Sequence, residues 1–201
     1  FIFGAVKANP WWSTPLMPII FLCSAIVSGI AMVILLYQIG MKFSGRRIDA
    51  SCMQSLARWL WLFVIISVTL ELLEIVTLAY EAADEWLIIK PLLVDQLAFS
   101  FIGIQLIFGA LIPIILLGIV VLMSRYLTNQ IRNTLCFVAS LMLLVQVFAM
   151  RWNVVIGGQI FSKSLRGFRE TVFPGLFEKE GIVLAILIFV FPLVFITLFN
   201  K

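Results

Sequence analysis

Five long apolar runs constrain this chain more than any other feature. A membrane span needs about 20 mainly apolar residues. Runs at about 16–38, 56–80, 97–123, 134–156 and 181–199 each supply them. They are continuously apolar, whereas the strands of a membrane barrel alternate over about ten residues. In lipid, backbone polar groups must be satisfied within the segment, which an α-helix does. The expected fold is therefore all-α: a polytopic transmembrane bundle of about five spans, forming a single membrane domain over residues 1–201. Composition agrees, with 63% hydrophobic and 12% charged residues. A soluble domain averages about half and about a quarter.

Loop charges supply an orientation. Lys42, Arg46 and Arg47 lie in the first loop, and Arg125 and Arg132 in the third. The second carries Glu81, Asp84, Glu85 and Asp95 against Lys90. The positive-inside rule puts loops one and three in the cytoplasm, and the amino end, loop two and loop four outside. Loop four runs against this with Lys163, Arg166, Arg169 and Lys179. Its stretch 163–169 is a candidate for binding anionic lipid or an extrinsic subunit, or is simply a solvated loop. The formal charge of +4 comes mostly from loops and reads as topology, with no nucleic-acid partner. Trp11, Trp12, Trp86 and Trp152 fall near span boundaries, as interfacial anchors do.

Histidine is absent, and Cys23, Cys52 and Cys136 lie far apart. The usual axial haem ligand and the commonest metal ligand are thus missing. No metal site is expected, and the cysteines read as small apolar residues. A redox cofactor is expected on another chain or as a diffusible lipid-soluble molecule. The chain opens on Phe1 without a signal-peptide pattern, so a fragment or processed chain is expected.

Several residues punctuate the runs. Gly103, Gly109, Pro113 and Gly118 predict a bend near Gly109–Pro113. Ser24, Ser28 and Gly29 predict a small-residue packing face. Gly157 and Gly158, before Gln159, read as a helix stop with a left-handed cap.

Charge at membrane depth is expensive and marks candidate sites. Ser67, Glu71, Glu74 and Thr77 are spaced i, i+4, i+7 and i+10, which lines one helix face. Two ionised carboxylates one turn apart would repel, so at least one is expected to hold a proton near neutral pH. The pair suits a proton relay, or equally a buried polar patch that pairs with a neighbouring helix. Arg151 is a natural counter-charge for Glu71, Glu74 or Asp95, or it snorkels to the interface. Gln146 and Asn153, about two turns apart, extend a hydrogen-bonding face. Asp95 and Gln96 stand at the mouth of a proton path or cap the third helix, and Gln105 lies one to two turns deeper.

The block Ala149-Met150-Arg151-Trp152-Asn153 through Gly157-Gly158-Gln159, continued by Ser162-Lys163-Ser164 and Gly167-Phe168, resembles the carboxy-terminal half of the NrfD family. These are the integral membrane subunits of polysulfide-reductase-like complexes. Pro15-Leu16-Met17-Pro18 and the run after it are also similar to the start of a helical bundle there. The likeness is strongest to DsrP-like and ActC-like members, found with sulfur-metabolism and alternative-complex-III assemblies. The resemblance implies an all-helical chain about twice this length. It implies electron exchange between the quinone (menaquinone) pool and an extrinsic ferredoxin-like iron–sulfur subunit. It also implies no haem, and a prokaryotic cytoplasmic membrane. The family's quinone pocket is associated mainly with the amino-terminal bundle, so no quinone-contacting residue is carried over. Acidic residues in relatives are proposed proton routes. Glu71, Glu74, Asp95 and Arg151, with Gln146 and Asn153, are candidates for that role by their chemistry. A secondary transporter, or a passive anchor with purely structural polar residues, is the alternative.

Overall fold

The computed structural model describes residues 11–12, 14, 16–81, 84–160, 183 and 187. The chain divides into two compact units, Phe1–Gly167 and Phe168–Lys201. In the second unit Val183 and Leu187 are described, and both are helical. The rest of the expected span at 181–199, and the basic stretch at 163–169, lie outside the described residues.

The first unit is built from helices. They are α1 (Met17–Phe43), α2 (Ala50–Glu81), α3 (Asp84–Pro91), α4 (Ile112–Leu122) and α5 (Asn129–Ile160). Two π-helical segments, Leu92–Gln96 and Phe99–Leu111, carry the chain from α3 to α4. Four stretches are long and apolar enough to cross a membrane: Met17–Phe43, Ala50–Tyr80, Phe99–Leu122 and Asn129–Ile160. They match the first four runs. The helices overrun the apolar runs because a helix continues into water wherever its polar residues are tolerated.

Local chemistry sets the ends. Pro18 starts α1 without wasting an N–H. Gly45, at φ 64°, supplies the left-handed turn that ends α1. Asp49 then caps α2 by accepting the Ser51 N–H at 2.9 Å. The interruption expected at Gly109–Pro113 takes the form of a change from π to α at Leu111/Ile112. Pro113 has no N–H to give either ladder, so it is tolerated where one ladder replaces the other.

Helix α5 packs on α1, α4 and the longer π segment, while α1 and α4 both pack on α2. Half of its apolar window is buried, against 17% for α2, so α5 is the central helix. Lipid gives apolar helices no hydrophobic reason to associate, so small residues and polar pins do the joining. Ser24, Val27 and Ala31 face the core from α1. Gly29, expected on that packing face, points outward with open space beside it. Trp61 Nε1 donates to the Ile114 carbonyl at 3.0 Å and joins α2 to α4. Gln38 Nε2 donates to the Asn133 carbonyl at 3.1 Å and joins α1 to α5.

Candidate polar site

Glu71 is buried, 5% exposed, on the inner face of α2. Gln105 Nε2 donates to its Oε2 at 2.9 Å, and Gln146 Nε2 to its Oε1 at 3.3 Å. Asn153 Nδ2 donates to Gln105 Oε1 at 2.8 Å, and the Ser100 hydroxyl to Asn153 Oδ1 at 2.5 Å. Five side chains from α2, the longer π segment and α5 thus form one connected path. A carboxylate accepts and cannot donate, so Gln105 must turn its NH2 towards Glu71. That leaves the Gln105 carbonyl for Asn153, and the Asn153 carbonyl for Ser100. The direction of the whole chain follows from the carboxylate at its end.

Two backbone features make the path possible. Residues five apart diverge on an α-helix, but an i→i+5 ladder brings them to nearly one face. The π segment therefore turns Ser100 and Gln105 towards the same neighbours. Gly109 lets that segment approach α5: a Cβ there would lie 2.7 Å from Gln146 Cγ and 2.9 Å from its Cα.

Glu74, one turn along α2, accepts a hydrogen bond from the Thr14 hydroxyl, ahead of α1. A small cavity touches both carboxyls and is also lined by Trp11, Phe101, Gln105, Met150 and Asn153. Its volume is about 40 Å³, room for a few waters at roughly 10–15 Å³ each.

The structure sorts the sequence candidates. Glu71, Gln146 and Asn153 come together, with Gln105, and Glu74 joins them at the cavity. Ser67 shares their buried face, but Thr77 is exposed and bonds back to the Leu73 carbonyl at 2.7 Å. Asp95 is exposed in the shorter π segment and caps no α-helix. Arg151 is the clearest correction. It is exposed on α5, pointing away from Glu71, whose oxygens are filled by neutral amides instead of a counter-charge.

Gly157 and Gly158 are a second correction: α5 runs through them to Ile160. They are small for close approach, because a Cβ on Gly157 would stand 3.0 Å from Trp11 Nε1, and one on Gly158 would overlap the Trp12 ring. Trp11 and Trp12, expected as lipid-interface anchors, pack inside the protein instead. Sequence spacing misses Ser100 and Thr14. An α-helical reading separates Ser100 from Gln105, and nothing in spacing joins Thr14 to a carboxyl 60 residues away. Among the described residues no cluster of three metal-ligating side chains occurs.

Known proteins share this sequence pattern. The family model described as polysulphide reductase, NrfD, matches residues 1–163. A membrane-complex relative, the third-lettered (C) chain of the selenate reductase of Mesobacillus selenatarsenatis, is 29% identical over 157 residues. That alignment covers 77% of this chain and 34% of the relative, so the chain spans about a third of the curated relative it matches. No solved structure matches.

Proposed function

The chain belongs to the polysulphide reductase NrfD family, and from that premise we propose that it is part of the membrane subunit of a quinone-linked oxidoreductase complex, with Glu71 as its proton-holding residue. It is a multi-pass membrane protein. The subunit exchanges electrons between the (mena)quinone pool and a ferredoxin-like iron–sulfur partner, in a prokaryotic cytoplasmic membrane. The present chain corresponds to its carboxy-terminal half.

The observation that carries the reading is a buried carboxyl with an amide facing each oxygen, beside a cavity that a second carboxyl shares. When Glu71 takes a proton, one oxygen becomes a donor and the amide facing it must present its carbonyl. Gln105 is held by Asn153, and turning it would reverse the path as far as Ser100. Among the described residues Gln146 bonds Glu71 alone, so it turns at least cost. The proton therefore rests on the Glu71 oxygen that faces Gln146. Glu74 and the cavity supply the exchange partner.

A quinone does not fit this cavity. Pockets for ring-sized ligands run to roughly 300 Å³ and more, and this one holds a few waters. The quinone is assigned to the remainder of the subunit, and no step here runs through it. A purely structural lock would also satisfy Glu71, but it would not need a cavity that touches both carboxyls. The test is quinone-linked turnover and proton uptake in the complex with Glu71→Gln and Glu74→Gln combined. Loss of proton uptake with the complex still assembled supports the reading. Unchanged turnover and uptake would remove it.

A further inference from the structure

The cavity is closed differently on its two sides. Towards loops one and three lies a close-packed apolar layer, with Ile34, Met53, Leu60, Val64, Leu117 and Leu143 all fully buried. From Met53 to Val64 along α2 it is about 16 Å thick, at 1.5 Å per residue. Such a layer offers a proton or a water no hydrogen-bonding partner. The other side is the loop-two face, where α1 begins and α5 ends. There Trp11, Trp12 and Thr14 form a strap across the bundle.

Three kinds of contact seat the strap. Trp12 Nε1 donates to the Val154 carbonyl at 2.8 Å. The Thr14 hydroxyl donates to Glu74. The two indoles lie on Gly157 and Gly158, whose missing side chains leave room for them. Trp11 and Thr14 are 9% and 7% exposed, so the strap is inserted between helices, not laid over them. Trp11 and Glu74 both line the cavity.

We propose that the strap of Trp11, Trp12 and Thr14 is a gate that admits water and protons to the Glu71–Glu74 cavity from the loop-two face alone. Trp12 and Thr14 are its positioning residues, and Gly157 and Gly158 are its seat. The proposal rests on the proton-holding reading of the cavity for its purpose, though not for its geometry. Exchange through a strap held by a few hydrogen bonds is transient, whereas exchange through the apolar layer would require unpacking four helices.

The test uses the complete complex in membrane vesicles of both orientations. Cys23, Cys52 and Cys136 are replaced by alanine, and Ile75→Cys reports on the cavity. Ile75 lines the cavity outside the hydrogen-bonded path. Reaction with a small membrane-impermeant thiol reagent is followed from each face. Thr14→Val removes the hydroxyl on Glu74, and Trp12→Phe removes the N–H on Val154 while keeping a ring on Gly158. Each is expected to raise the rate from the loop-two face roughly tenfold, the factor that losing one hydrogen bond gives an opening equilibrium. The rate from the loop-one face stays at its slow parent value. A general loosening of the fold would raise both. Rates unchanged in both variants, or raised from the loop-one face, would overturn the gate. Should Trp12→Phe fail to assemble, Thr14→Val alone decides. Labelling does not depend on titration of Glu71, so failure of the proton reading leaves this result standing, and the reverse also holds.

Discussion

At the scale of residues, Glu71 and Arg151 show how burial separates two charges that look alike in the sequence. Glu71→Ala would leave Gln105 and Gln146 without their acceptor inside the bundle. Each orphaned buried group costs about 1–3 kcal/mol, so thermal unfolding in detergent should fall well below the parent. Glu71→Gln keeps one acceptor and lets Gln146 turn, and should lose much less stability while abolishing proton uptake. Arg151→Gln, on the exposed side of α5, should stay within about 0.5 kcal/mol of the parent in the same assay. A destabilisation by Arg151→Gln equal to that by Glu71→Ala would contradict the geometry. Glu71, Glu74, Gln146 and Asn153 are legible in the sequence because polar residues in apolar runs stand out. Their partners are not. Spacing fixes which residues share a face of one helix, but not which neighbouring helix that face meets. Arg151 therefore looks like a counter-charge in the sequence, and Ser100 and Thr14 leave no signal.

At the scale of elements, glycine carries the information that apolar runs lack. Gly109 and Gly29 are both helical glycines in spans, yet substitution should act in opposite directions. Gly109→Ala drives a methyl into Gln146, and such overpacking costs about 1–3 kcal/mol. It should also shift Gln146 away from Glu71 and slow proton uptake. Gly29→Ala meets open space and should be neutral or stabilise by about 0.5–1 kcal/mol, through lost unfolded-chain freedom. Thermal unfolding of the two variants side by side checks this. The sequence marks the region of Gly109 and Pro113 as irregular but not as π-helical. The wider ladder is set by packing against α5, not by local preference. The Gly157–Gly158 pair misleads for the related reason that a cap and a close approach ask for the same residue. The helix continues because two indoles fill the space that a solvated helix end would leave open.

At the scale of the whole molecule, four spans fix which loops share a face. Loops one and three lie together, and the start of α1 lies opposite them. The positive-inside rule assigns loops one and three to the cytoplasm. Native Cys52, exposed near the start of α2, gives a direct check. A membrane-impermeant maleimide should leave it unlabelled in intact cells and label it after permeabilisation. Labelling in intact cells would invert the orientation. The all-helical fold and four of the spans are readable from run length alone, because lipid leaves a backbone few choices. The depth of the polar site is not readable, since it depends on which helices meet in the outer half of the bundle. The central claim is that Glu71 holds the exchangeable proton. Infrared difference spectroscopy of the complex, oxidised against quinol-reduced, tests it most directly. The account predicts a protonated-carboxyl band in the difference spectrum that disappears in Glu71→Gln and survives in Asp95→Asn. A band that persists unchanged in Glu71→Gln would contradict it.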